Sequence, residues 1–201
     1  MTAVSATSGY TLVAIILHWV MALGIIALAV MGLYMTHVKL PPQQLFYLYQ
    51  LHKSIGITLL LSAFLRLGWR LMHRAPTLPN SISLAQKSVA KVSHWLLYLA
   101  LFALPLTGWA VVSASPFDIP TALFGVIRWP DLPFLPNLAD KNVVEAVLID
   151  IHAYGAWALI ALVVLHAGAA LHHHFIKRDD IVRRMLPGRR VRGPNVKDPA
   201  Q

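Results

Sequence analysis

The chain has 201 residues with a formal net charge of +9, is 57 % hydrophobic and only 12 % charged, and contains no cysteine. Its mean hydropathy of +0.62 excludes an ordinary water-soluble domain. The missing thiols exclude iron–sulfur clusters, thioether-linked haem, thiolate ligation and disulfides, so any redox chemistry must rest on histidine.

Four apolar stretches are long enough to cross a hydrocarbon layer of about 30 Å, which takes about 20 helical residues. They are expected near Thr11–Tyr34, Leu51–Leu71, Val92–Val112 and Val144–Phe175. No Lys or Arg precedes Lys39 and the first run is too long for a signal-peptide core, so it is expected to stay in place as a helix. The third span carries Pro105, which removes one backbone donor and predicts a kink. The fourth is longer than a perpendicular crossing needs and is expected to tilt or project.

Charge sets the expected orientation. Arg66, Arg70, Arg74, Lys87 and Lys91 lie between spans two and three with no acid among them, and eight Lys and Arg residues follow span four. Both segments, and both termini, are expected in the cytoplasm. The proline-rich connection between spans three and four carries Asp118, Asp131, Asp140, Glu145 and Asp150 against Arg128 and Lys141, and is expected outside. The chain divides into a transmembrane domain over 1–186 and a basic cytoplasmic tail over 187–201, solvated or bound to lipid headgroups. Basic residues beside apolar spans, without interleaved exposed aromatics, report topology and not a nucleic-acid partner.

Histidine is the informative residue. His18 and His52 each lie in one span, and His152 and His166 share the fourth. An imidazole in hydrocarbon needs a partner. Fourteen helical residues return to within about 40° and advance about 21 Å, so His152 and His166 point into one seam at two depths. With the expected topology His52 matches His152 near the outer side and His18 matches His166 near the inner side. Each pair is placed to clamp one haem iron between two imidazoles within an all-α four-helix membrane bundle. The separation argues against a single zinc or copper ion held by all four. Residues four positions after these histidines are small (Ala22, Gly56, Ala156 and Ala170), leaving the next turn bare for a flat ring, although tight helix packing favours small residues too. Tyr98 stands four residues after His94 and would obstruct a ring there. In the run His172–His174, consecutive positions point in different directions, and His173 returns to nearly the same face as His166.

His18-Trp19, His52-Lys53-Ser54 with Gly56, Leu65-Arg66-Leu67 with Arg70, Ser93-His94-Trp95, Leu104-Pro105-Leu106 with Gly108, and His152 with Leu165-His166-Ala167 resemble the bacterial cytochrome b561 family, related to hydrogenase cytochrome b subunits. The likeness runs from about Thr11 to Pro187. It implies a four-helix diheme cytochrome b of the bacterial inner membrane with His18, His52, His152 and His166 as ligands of two haems b. It also implies the activity of a superoxide oxidase, carrying electrons from superoxide at the periplasmic face to ubiquinone.

The remaining polar residues fit a quinone reductase without requiring one. Arg66 returns to the His52 face at the depth of the inner pair, suited to a haem propionate, to a quinone carbonyl, or to snorkelling as a positive-inside anchor. His94 and His173 are candidates for protonating a reduced quinone, and either is equally suited to bonding a propionate. Lys53, with Lys39, Arg128, Lys141 and His37, supplies the outer cations that would steer superoxide, but the five outer acids oppose them. Two other readings stand beside the oxidase. One is a cytochrome b subunit relaying electrons between quinone and a soluble dehydrogenase or cytochrome donor; the other is a haem-free metal transporter or helical scaffold, which lacks the acidic residues near the midplane that transport uses.

Overall fold

The computed structural model describes residues 9–73, 76 and 83–186. Four long helices dominate: α1 (Leu12–His37), α2 (Pro42–Met72), α3 (Leu84–Ser113) and α4 (Lys141–His172). All four are long and apolar enough to cross a membrane. Arg74 and the tail from 187 onward lie outside the described residues.

Helices α2 and α3 start well before their apolar stretches. α2 begins nine residues before Leu51 and α3 eight before Val92. Local chemistry sets these starts. Pro42 occupies the first position of α2, where a missing N–H costs nothing. Ser83 and Gln86 form a reciprocal capping box on α3, and the Thr11 hydroxyl accepts from Ala14 N at 3.3 Å on α1. α3 continues through Pro105 as helix. α4 ends in a π-helical turn, His173–Lys177, closed by Arg178 in the left-handed region.

Backbone packing follows chain order, with α1 on α2, α2 on α3 and α3 on α4. The interior cluster is small: Met21, Leu59 and Ala63, with Ile25, Leu28, Ile55, Leu101 and Phe102 against it. The outward faces are apolar and exposed, as helices solvated by lipid must be.

The connection after α3 is more ordered than its prolines suggest. Strands β1 (Thr121–Leu123) and β2 (Ile127–Trp129) form an antiparallel hairpin. Its turn has Phe124 and Gly125 both at positive φ, 51° and 75°, with Val126 N donating to Leu123 O at 3.0 Å. That is the mirror-image turn whose twist suits paired strands, and glycine takes the second position without penalty. Fully buried Ser54 of α2 accepts Phe124 N at 2.9 Å and donates to Gln50 O at 2.7 Å. Gln50 in turn donates to Pro120 O and accepts from Ala122 N.

Two histidine pairs in the seam of the bundle

The helices bring the four histidines together two by two. His52 of α2 faces His152 of α4 with ring centroids 6.3 Å apart and planes inclined 75°. His18 of α1 faces His166 of α4 at 6.2 Å and 68°. Both pairs bridge helices that are not among the closely packed neighbours of the described residues, so the histidines meet across the seam between α4 and the helices α1 and α2.

The separations suit a shared ion. Two imidazole nitrogens, each about 2 Å from one metal with a ring radius added on either side, set centroids about 6 Å apart. Among the described residues no cluster of three or more His, Asp or Glu gathers around a single point, so the geometry is that of two-point clamps. Each pair would hold one haem iron, and the imidazole donors present suit that group.

Hydrogen bonding differs between the pairs. Thr107 donates to the Leu104 carbonyl at 2.8 Å, which uses its only proton, so toward His152 Nδ1, 3.0 Å away, it acts as acceptor. His152 then carries its proton on Nδ1 and presents the Nε2 lone pair. His52 Nδ1 is buried and has no partner among the described residues. Gly108 backs the His152 ring so closely that a Cβ there would meet Cε1 at 2.9 Å, whereas a Cβ at Gly56 would meet nothing within 4 Å.

At the other level Arg66 Nη2 lies 3.3 Å from His18 Nδ1. A guanidinium only donates, so this contact places the His18 lone pair on Nδ1. Ligation through Nε2 requires the opposite tautomer, and the guanidinium must then turn to another acceptor. Arg66 Nη1 is buried without a partner among the described residues, and the guanidinium carbon lies 6.0 Å from the Tyr98 ring centroid. His94 belongs to the same cluster, its ring centroid 5.4 Å from that of His166.

Two sequence candidates lie elsewhere. His173 falls in the π-helical turn, where Nδ1 pairs with Asp179 Oδ2 at 2.5 Å. Lys53 stands beside His52 in sequence and is half-buried, while Lys141 is held by Asp118 at 2.7 Å. The sequence reading missed Thr107 and Asp179. Of these only Thr107 left a trace, as a hydroxyl between Pro105 and Gly108 in an apolar span.

The family model described as prokaryotic cytochrome b561 matches residues 9–188. Cytochrome b561 homolog 2 of Escherichia coli (strain K12) is 32 % identical over 177 residues, covering 88 % of this chain and 90 % of that protein. Cytochrome b561 homolog 1 of the same strain is 31 % identical over 143 residues, 69 % of this chain and 74 % of its own length. A probable superoxide oxidase CybB of Yersinia pestis is 30 % identical over 141 residues, 70 % of this chain and 75 % of its own. With four membrane-spanning helices and histidines paired across their seam, the chain belongs to the prokaryotic cytochrome b561 family of multi-pass bacterial membrane electron-transfer proteins, a membership that implies b-type haem.

Proposed function

We propose that this protein is a diheme electron carrier of the bacterial inner membrane that oxidises superoxide on the periplasmic side and reduces ubiquinone. The observation that carries the diheme reading is the pairing of His52 with His152 and of His18 with His166 at 6.3 and 6.2 Å. His94 is the competing partner for His166, but its 5.4 Å centroid separation is short for two rings on opposite sides of one ion. Bound haem supplies one-electron redox chemistry to both levels. The domain over 1–186 would hold both groups, with the termini and the basic tail on the cytoplasmic side by the charge distribution.

On this reading the chain's own residues divide the work. Thr107 holds the His152 tautomer, and the bare backbone of Gly108 lets the His152 ring pack directly against α3. Arg66, freed from His18 by the tautomer that ligation demands, offers both terminal nitrogens to an anionic propionate or a quinone carbonyl. Two electrons from two superoxide anions convert one quinone to quinol only when two protons arrive, and His94, beside His166, and His173, beyond the end of α4, are the candidate histidines for that supply. The family relationship to a probable superoxide oxidase supports the choice of donor.

A second reading, a cytochrome b subunit fed by a soluble redox protein, is favoured by one feature. Lys141 is paired with Asp118 at 2.7 Å, so one of the outer cations is offset by an acid. That weakens a funnel for a small anion. Stopped-flow spectroscopy of the purified protein distinguishes the two. Rapid reduction of the b-type bands by superoxide, with reoxidation that depends on ubiquinone, is expected for the oxidase. Bands that stay oxidised under superoxide assign the protein to the relay.

A further inference from the structure

The hairpin after α3 ends in an unusually apolar surface. No charged residue occurs from Ile119 to Ile127. Phe124, Val126 and Ile127 are 60, 84 and 61 % exposed, and Phe46 and Tyr47 of α2 line the same groove as Phe124. Left in water, such a patch is an aggregation hazard.

The depth of this patch follows from its anchor. α2 has 31 residues and is about 46 Å long, some 16 Å more than the hydrocarbon layer needs. Shared between its two ends, that surplus leaves Gln50 near the hydrocarbon boundary and Ser54 one turn deeper. The turn is tied to these two residues. Irregular backbone survives at that level only when its polar groups are satisfied by protein. Here they are: Phe124 N by Ser54, Ala122 N and Pro120 O by Gln50, and Ala122 O by Gly125 N at 3.1 Å. At the other end of the hairpin Trp129 packs against Trp109, centroids 5.6 Å apart, and Trp109 Nε1 donates to Pro130 O. Paired tryptophans beside the first charged residue, Arg128, mark the headgroup level.

We propose that the β1–β2 hairpin is a lipid-interface anchor, its Phe124–Ile127 turn inserted beside α2 at the boundary between headgroups and acyl chains. The buried Ser54–Gln50 clasp supplies the hydrogen bonds that water supplies to an ordinary loop, so the apolar side chains are free to face lipid. This inference depends on the membrane placement of the helices and not on the donor, the acceptor or the number of haems.

Because the chain has no cysteine, a single nitroxide can be placed at will. Full-length protein carrying Val126→Cys, and separately Ile127→Cys, is spin-labelled and reconstituted into vesicles of phosphatidylethanolamine and phosphatidylglycerol, with Asp140→Cys as the exposed reference. Relaxation by dissolved oxygen and by a nickel chelate present on both sides of the vesicle is compared. The expected result is oxygen access at 126 and 127 with nickel-chelate access several-fold below that at 140. Nickel access at 126 and 127 equal to that at 140 places the turn in water and overturns the proposal. Dipolar broadening between labels, absent on dilution with unlabelled protein, identifies a second copy as the cover and overturns it equally.

Discussion

Thr107 Oγ1 stands 3.0 Å from His152 Nδ1 while giving its own proton to the Leu104 carbonyl. The imidazole is therefore the donor in this contact, which leaves its lone pair on Nε2. A hydrogen bond from the distal nitrogen also raises the basicity of a ligating histidine. Thr107→Val preserves shape and removes the acceptor. Retention of haem at the His52/His152 level is expected to weaken about tenfold, with a higher midpoint potential, and Thr107→Ser should restore both. Redox titration with haem quantitation checks this, and an unchanged potential would leave Thr107 a packing residue only.

The same logic with opposite sign applies to Arg66. Its donation to His18 Nδ1 is incompatible with ligation through Nε2, so on the proposed reading, in which His18 holds haem, the guanidinium would serve another acceptor. Replacing it with glutamine removes a charge-assisted hydrogen bond worth about 1.5–3 kcal/mol, roughly a tenfold to hundredfold effect. We expect quinone-dependent reoxidation to slow by that factor with haem content preserved. Loss of the haem without a separate change in quinone rate would reassign Arg66 to propionate binding.

The depth pairing itself is open to a direct count. His152→Ala is expected to halve the haem per protein and leave the potential of the other group in place, and His18→Ala to do the converse. Pyridine haemochrome analysis normalised to protein reads the result. Full occupancy in either variant contradicts the assigned pairs.

Space around the outer pair gives a steric test. A methyl at Gly108 meets His152 Cε1 at 2.9 Å, inside any ordinary contact, while one at Gly56 meets no protein atom within 4 Å. Gly108→Ala is expected to displace the His152 ring and lower haem occupancy at that level alone. Gly56→Leu fills protein-free space, so it leaves the apoprotein fold intact yet blocks a flat ligand. Should Gly56→Leu protein load haem normally, the open space there serves helix packing or lipid.

The four helices and the pairing of their histidines were legible because both rest on regular geometry. Apolar length fixes the spans, and the fourteen-residue interval between His152 and His166 fixes a common face at two depths. What was not legible depends on contacts across the chain. Tyr98 was read as an obstacle beside His94, yet its ring faces Arg66 and the His94 ring reaches His166. His173 was placed on the His166 face by α-helical spacing, but it opens the π-helical turn and its partner there is Asp179. The hairpin of the outer connection was not foreseen, because nothing local to it reveals that Gln50 and Ser54, about seventy residues earlier, supply its hydrogen bonds.

Ser54 therefore offers the sharpest stability test. It is fully buried, donates to Gln50 O and accepts from Phe124 N, whose residue is held at a φ of 51° that a phenylalanine adopts only under constraint. Ser54→Ala strands the Phe124 amide beside α2 at a depth where water is scarce. An unsatisfied buried donor costs about 1–3 kcal/mol, and the strain at Phe124 then has less to oppose it. The expected outcome is a hairpin that opens locally while the four helices hold. Hydrogen exchange at Phe124 and Ala122 should accelerate by about one to two orders of magnitude, with exchange in the helices unchanged. If the thermal midpoint of the whole bundle falls instead and the hairpin amides exchange no faster than their neighbours, Ser54 supports the packing of α2 and not the hairpin.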